Sequence, residues 1–154
     1  MKKDLYSIVS EMDDEEFLAH YGVLGMKWGV RRTPEQLGHK TRKKLKKMDK
    51  KAVKVEKAAD KNYQAFAKKM AKGRENGFTW LNLQDALISN SKSLKLRSEM
   101  INEIKKYAYS INTPIKDLPK DIIEMGDRAF EHAVISKQNY GALKSMWDEI
   151  MYRH

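Results

Sequence analysis

The residues best suited to chemistry are the lysines and arginines that follow residue 39. Between residues 40 and 51, eight side chains are Lys or Arg and one is Asp, and Lys54 follows closely. A dense cationic run attracts phosphate polyanions by releasing their counterions, and this attraction does not depend on base sequence. The predicted nucleic-acid contacts are Lys40, Arg42, Lys43, Lys44, Lys46, Lys47, Lys50, Lys51 and Lys54. The alternative interpretation is a solvated helix face with no ligand.

A second segment, residues 20–32, combines three glycines, two aromatic side chains and a basic end. Glycines let two backbones approach closely, and large apolar side chains give much contact area in a short length. We call it the Gly/aromatic segment and predict that it docks on a protein partner. The predicted contacts are His20, Tyr21, Gly22, Leu24, Gly25, Met26, Lys27, Trp28, Gly29, Arg31 and Arg32. The alternative is a glycine-rich connector that covers the adjacent helices.

The Gly/aromatic segment resembles a short motif of proteins from tailed bacteriophages that infect Gram-positive bacteria. The resemblance rests on the run Gly-Met-Lys-Trp-Gly-Val-Arg-Arg at residues 25–32, on His20, and on the acidic residues 13–16 that precede it. It covers about thirteen residues, and we recognise no family in the rest of the chain. The motif accompanies otherwise dissimilar proteins, often virion-associated or linked to head genes. The resemblance therefore implies a phage origin and a virion setting, without a mechanism.

Residue patterns typical of catalysis and cofactor binding are missing from the sequence. The histidines at 20, 39, 132 and 154 lack the paired spacing of a metal site, and there is no cysteine to act as nucleophile or ligand. Neither a Gly-x-Ser-x-Gly elbow nor a phosphate-binding loop ending in Gly-Lys-Ser/Thr occurs. We therefore expect a protein that is not an enzyme and that holds no metal or cofactor.

Positive charge is concentrated in one part of the chain. The net charge of +10 is the sum of −4 for residues 1–19, +9 for residues 20–60 and +5 for residues 61–154. The mean hydropathy is −0.74, and no apolar run reaches the roughly 18 to 20 residues that span a bilayer. The first ten residues also lack the apolar stretch of a secretory signal. These features predict no membrane partner and a location in the virion or the host cytoplasm.

Apolar spacing predicts helices along most of the chain and no strands. Leu45, Met48, Ala52, Val55 and Ala59 recur at steps of three and four, which predicts a long helix over residues 40–72. This helix could form a coiled coil between chains or pack within its own chain, and the aromatic residues that follow favour packing within the chain.

Further helices are predicted after residue 77. We expect a second helix from a cap at Thr79 to about Tyr109, with Leu83, Leu87, Leu94, Ile101, Ile104 and Ala108 on one face. A third helix is predicted to begin near the cap Asp117, and a separate last helix to carry residues 143–151. The four tyrosines at 107, 109, 140 and 152 are expected at the rim of the core.

The sequence therefore predicts an all-α fold, a small helical bundle with a long basic helix and an irregular N-terminal arm that carries the Gly/aromatic segment. The predicted parts are an N-terminal segment (residues 1–39), the basic helix (residues 40–72) and a helical bundle that packs on it (residues 73–154).

The leading functional hypothesis is a noncatalytic minor virion or head-associated protein. It would dock on another phage protein of the capsid, portal or scaffold class and contact DNA or an acidic protein surface through its basic helix. One alternative is an early phage protein that inhibits a host nucleic-acid machine or defence system. Another is a nonspecific DNA-binding protein.

Overall fold

Three long helices make up residues 34–153, the part of the chain that a computed structural model describes. Helix α1 spans Pro34–Ala71, α2 spans Gly77–Ser110 and α3 spans Lys120–Arg153, with a short 3-10 helix at Ile115–Asp117. Helices α1 and α3 both pack along α2 and contact each other little. The described residues contain no strand, which confirms the predicted all-α helical bundle.

Helix α1 packs within its own chain rather than serving as a coiled coil between chains. Leu45, Ala52, Ala59 and Phe66 are buried at seven-residue intervals, and Met48 packs beside them. The helix begins at Pro34, earlier than the predicted start at residue 40.

The turn between α1 and α2 uses different residues from the predicted cap. Gly73 ends α1 with a φ of 71°, and the Arg74 N–H donates to the Lys69 carbonyl at 2.9 Å. Asn76 caps α2, because its side chain accepts hydrogen bonds from the N–H groups of Phe78 and Thr79. The prediction that Thr79 is the cap was wrong: Thr79 is buried in the first turn and donates to the Arg74 carbonyl.

The prediction of two separate helices after Pro114 was also wrong. A single helix, α3, runs through Gly126 and Gly141, since a glycine in a helix costs only about 1 kcal/mol and packing on α2 outweighs it. Asp117 lies in the 3-10 helix, and α3 begins three residues later at Lys120.

Two apolar clusters and a polar layer between them make up the core. One cluster, which includes Leu45, Ile101 and Ile122, lies toward the start of α1, and the other, which includes Phe66 and Leu83, lies toward its end. The polar layer consists of Asp49, Glu56, Ser93, Arg97, His132 and Ser136.

The predicted core residues of α2 are buried as expected, and Tyr107, which was predicted at the rim, is buried with them. Tyr107 is only 6% exposed, because its ring packs in the first cluster beside Gly38 of α1.

Candidate nucleic-acid interface

A continuous row of lysines runs along α1. Its members recur at alternating steps of four and three residues, which places them on one side of a helix. We call them the lysine stripe: Lys43, Lys47, Lys50, Lys54, Lys57 and Lys61. At about 1.5 Å of rise per residue, the stripe is about 27 Å long and its neighbours are about 5 Å apart along the axis.

The packing of α1 directs the lysine stripe away from the core. Lys47, Lys54 and Lys61 each follow a buried residue of α1 by two positions. Two positions turn a helix by about 200°, so a lysine at that offset lies on the opposite side from the buried residue. The seven-residue spacing of the small and apolar buried side chains therefore determines where the stripe lies.

The stripe lysines are exposed and are not neutralised by neighbours. All six are exposed, and within residues 34–153 none of them lies in an ion pair. Asp60 lies between Lys57 and Lys61 in sequence, but within residues 34–153 it forms no ion pair with either lysine. The stripe can therefore offer its full charge to a ligand.

Two of the predicted nucleic-acid contacts have partners inside the molecule. Arg42 donates to the two carboxylate oxygens of Asp121 at 2.5 and 3.1 Å, and this lowers the pKa of Asp121. The Lys44 ammonium lies 3.0 Å from Glu103 on α2. Both side chains connect α1 to its neighbours and are less available to an external anion.

The other predicted basic residues fall into two groups. Lys43, Lys47, Lys50 and Lys54 lie in the stripe. Lys40, Lys46 and Lys51 are exposed and flank it. Lys57 and Lys61 are not among the predicted contacts, although they continue the same spacing past residue 54.

The polar layer fixes the rotation of α1 about its axis. Arg97, fully buried on α2, donates from Nε and Nη2 to the two carboxylate oxygens of Glu56 at 2.9 and 2.8 Å. Arg97 Nη1 also donates to Asp49 Oδ1 at 2.5 Å, and Asp49 precedes Glu56 on α1 by seven residues, about two helical turns. Because these contacts join two points of α1 to one side chain of α2, they favour a single orientation for the stripe.

Burial and hydrogen bonding act in opposite directions on Glu56. Burial by itself raises the pKa of its carboxyl group, but the hydrogen bonds from Arg97 and Ser93 outweigh burial and hold the pKa below its ordinary value. His132 of α3 adds a third contact, with Nδ1 3.0 Å from Glu56 Oε1. The carboxylate is therefore ionised at neutral pH and joins all three helices.

The described residues hold neither a metal cluster nor a membrane span. No group of three or more His, Cys, Asp or Glu side chains within residues 34–153 is arranged to bind a metal ion. None of the described helices combines the length and apolar composition needed to cross a bilayer.

The predicted docking contacts lie outside the described residues. They are His20, Tyr21, Gly22, Leu24, Gly25, Met26, Lys27, Trp28, Gly29, Arg31 and Arg32, and α1 begins two residues after the last of them.

Comparison with known proteins identifies a likeness in this N-terminal part. Residues 10–35 match the model of a family of unknown function (DUF7211), and the match contains the whole Gly/aromatic segment. No curated protein and no solved structure matches the chain.

Proposed function

We propose that this protein is a noncatalytic nucleic-acid-binding protein that lays the lysine stripe along the phosphate backbone of a duplex. The observation that carries the proposal is the row of six exposed lysines, free of ion pairs with described residues, on a helix held in one orientation. Regularly spaced ammonium groups attract a regularly spaced polyanion, and the attraction requires no particular base sequence.

The composition of the stripe favours backbone contact over base recognition. Its members are all lysines, without the Arg, Asn or Gln side chains that form bidentate contacts with bases. It also holds no aromatic ring on which an unpaired base could stack. Tyr63 is 41% exposed, but it follows Lys61 by two residues and so lies on the opposite side of α1 from the stripe. A duplex is therefore the favoured ligand over single-stranded nucleic acid.

The salt dependence of binding to a random-sequence duplex tests this proposal. If all six lysines contact phosphates, the slope of log K against log salt concentration is about −5. The triple variant Lys47→Gln, Lys50→Gln, Lys54→Gln should weaken binding and reduce the slope by about 3. Glutamine keeps a helix propensity close to that of lysine, so α1 should remain folded.

A matched variant separates the stripe from total charge. Lys72, Lys116 and Lys120 are exposed and lie outside the stripe. Their replacement by glutamine changes the net charge by the same amount and should leave the slope nearly unchanged. Equal losses in the two triple variants would overturn the proposal, as would salt-insensitive binding. Preference for an acidic protein over the duplex would also overturn it.

We propose, from the resemblance of residues 20–32 to the phage motif, that the protein works as a minor virion or head-associated component. In this proposal the Gly/aromatic segment docks on another phage protein while the stripe contacts packaged DNA. Quantitative mass spectrometry of purified particles tests the setting, since a virion component is present at a fixed ratio to the major capsid protein. Its absence from particles, with the protein present in infected cells, would favour a host-directed inhibitor.

Trp28→Ala tests the docking role separately. Trp28 is the largest predicted anchor, and aromatic anchors carry much of the energy of protein interfaces. We expect the variant to be lost from particles while its helical bundle remains folded. Normal incorporation would contradict docking through this segment.

A further inference from the structure

Helix α2 carries an exposed apolar strip on the side away from its buried residues. Phe78, Leu81 and Ile88 are 74%, 52% and 44% exposed, respectively. They share one helix face with Asp85 and Lys92, because residues 78, 81, 85, 88 and 92 recur at steps of three and four. We call these five residues the outer strip. Large exposed apolar side chains in one row are typical of interaction surfaces.

The charges of the outer strip are arranged in opposite signs around Ile88. Asp85 precedes Ile88 by three residues, and Lys92 follows it by four. Both are exposed, and neither lies in an ion pair within residues 34–153. Neither has an oppositely charged residue three or four positions away on α2. The two charges therefore lack a partner within their own helix.

We infer that the outer strip pairs with the outer strip of a second copy of this chain, with the two α2 helices antiparallel and crossing at Ile88. In this arrangement Ile88 contacts its counterpart at the two-fold axis. Asp85 of each copy then lies opposite Lys92 of the other, so two ion pairs form. Such a self-complementary patch is the requirement for an isologous two-fold dimer.

A parallel arrangement is disfavoured by the same charges. It would place Asp85 opposite its counterpart and Lys92 opposite its counterpart, and like charges at an interface are repulsive. In the antiparallel arrangement Leu81, seven residues before Ile88, lies opposite Lys95 of the second copy, seven residues after it, and Phe78 lies one turn beyond Leu81. The aliphatic stem of Lys95 can cover this apolar surface.

The size of the strip predicts weak association. Three apolar side chains and two ion pairs bury less than the roughly 1,200 Å² of a standard stable interface. The net charge of +10 on each copy also opposes association. We therefore expect a dimer whose population depends on concentration and that forms at tens to hundreds of micromolar, about the range of weak complexes. The lysine stripe lies on a different helix, so dimerisation is a property separate from nucleic-acid binding.

Charge reversal provides a sharp test by sedimentation equilibrium in about 0.15 M salt, where screening acts beyond roughly 8 Å. The single variants Asp85→Lys and Lys92→Asp should each weaken self-association by about tenfold or more, because each places two like-charged pairs in the dimer. An equimolar mixture of the two variants should form a heterodimer, since every Asp then faces a Lys. The double variant Asp85→Lys, Lys92→Asp should regain self-association.

The competing outcomes are distinct. A wild-type chain that stays monomeric up to about 1 mM would overturn the inference. Self-association that persists in both single variants, or a mixture that fails to associate, would also overturn it. All the substituted side chains are exposed, so the circular dichroism spectra and thermal unfolding of the variants should match those of the wild-type chain. A match would show that a variant has lost the dimer without losing its fold.

Discussion

At the scale of single residues, Arg97 has the most demanding position in the structure. Its side chain is fully buried, and it contacts the carboxylates of Glu56 and Asp49 on α1 and the ring of His132 on α3. A buried cation is stable only when its charge is paired and its donors are satisfied. The same contacts ionise Glu56 and hold the three helices in one arrangement.

Replacing Arg97 by leucine should destabilise the protein by about 3 to 5 kcal/mol, because Glu56 would lose its buried cation and Asp49 would keep only its ion pair with the exposed Arg128. Denaturation with urea, followed by circular dichroism, measures this change. Glu56→Gln is the comparison variant, since it keeps the shape of the side chain and removes one charge. A loss below about 1 kcal/mol for Arg97→Leu would show that the polar layer does not stabilise the fold.

The same variant should also change the pH dependence of stability. In the wild-type chain the pKa of Glu56 is lower when folded than when unfolded, so its contribution is present above the unfolded pKa and is lost as pH falls through the folded pKa. Without Arg97, burial still raises the pKa of Glu56 and only the hydrogen bonds from Ser93 and His132 oppose it, so the pKa of Glu56 in the folded variant should be higher than in the wild-type chain. The destabilisation caused by Arg97→Leu should therefore shrink as pH falls through the pKa of Glu56 in the folded variant, because protonation removes the charge that has lost its cation.

At the scale of helices, the approach of α1 to α2 depends on Gly38. A Cβ atom at this position would lie 2.9 Å from the Tyr107 hydroxyl oxygen and 3.2 Å from Arg42 Nη1. Gly38 therefore lets the Tyr107 hydroxyl of α2 lie closer to α1 than a Cβ atom would allow, although glycine in a helix interior is unfavourable by about 1 kcal/mol relative to alanine.

Gly38→Ala should destabilise the wild-type chain, because the contact with Tyr107 outweighs the gain in helix propensity. In a Tyr107→Phe background the nearest clashing oxygen is gone, and Gly38→Ala should become neutral or stabilising. A double-mutant cycle of unfolding free energies should give a coupling of about 1 kcal/mol or more between the two positions. Additive effects would show that the close approach is relieved elsewhere.

At the scale of the whole molecule, charge is divided between an acidic beginning and a basic helix. Residues 1–19 carry −4, whereas the lysine stripe carries six positive charges. Opposite charges on one chain compete with an external polyanion for the same cationic surface.

Deletion of residues 1–19 should therefore increase the affinity for duplex nucleic acid, with the greatest effect at low salt. The measurement is the same salt titration used for the lysine variants. A chain in which the six acidic residues of this segment are replaced by Asn and Gln controls for the loss of length. Unchanged affinity in both chains would contradict competition by the acidic segment.

The helical class and the buried face of α2 could be predicted from the sequence, which also favoured packing of the basic helix within its own chain over a coiled coil between chains. Helical spacing of apolar residues such as Leu45 and Ala52, or Leu83 and Leu87, is a local property that can be read without the fold. The cluster of lysines and arginines at residues 40–51 could also be recognised from the sequence, because it too is a local pattern.

Contacts between helices, which the sequence does not reveal, establish which basic residues remain available and what holds α1 in place. Arg42 and Lys44 find their partners on α3 and α2, at Asp121 and Glu103, across distances in sequence that no local pattern encodes. The continuity of α3 through Gly126, the burial of Tyr107 beside Gly38 and the pairing of Arg97 with Glu56 likewise depend on contacts between helices. These features share one physical reason. Helix propensities differ between residue types by only about 1 kcal/mol per residue, whereas burial and ion pairing between residues distant in sequence contribute more to the stability of the fold.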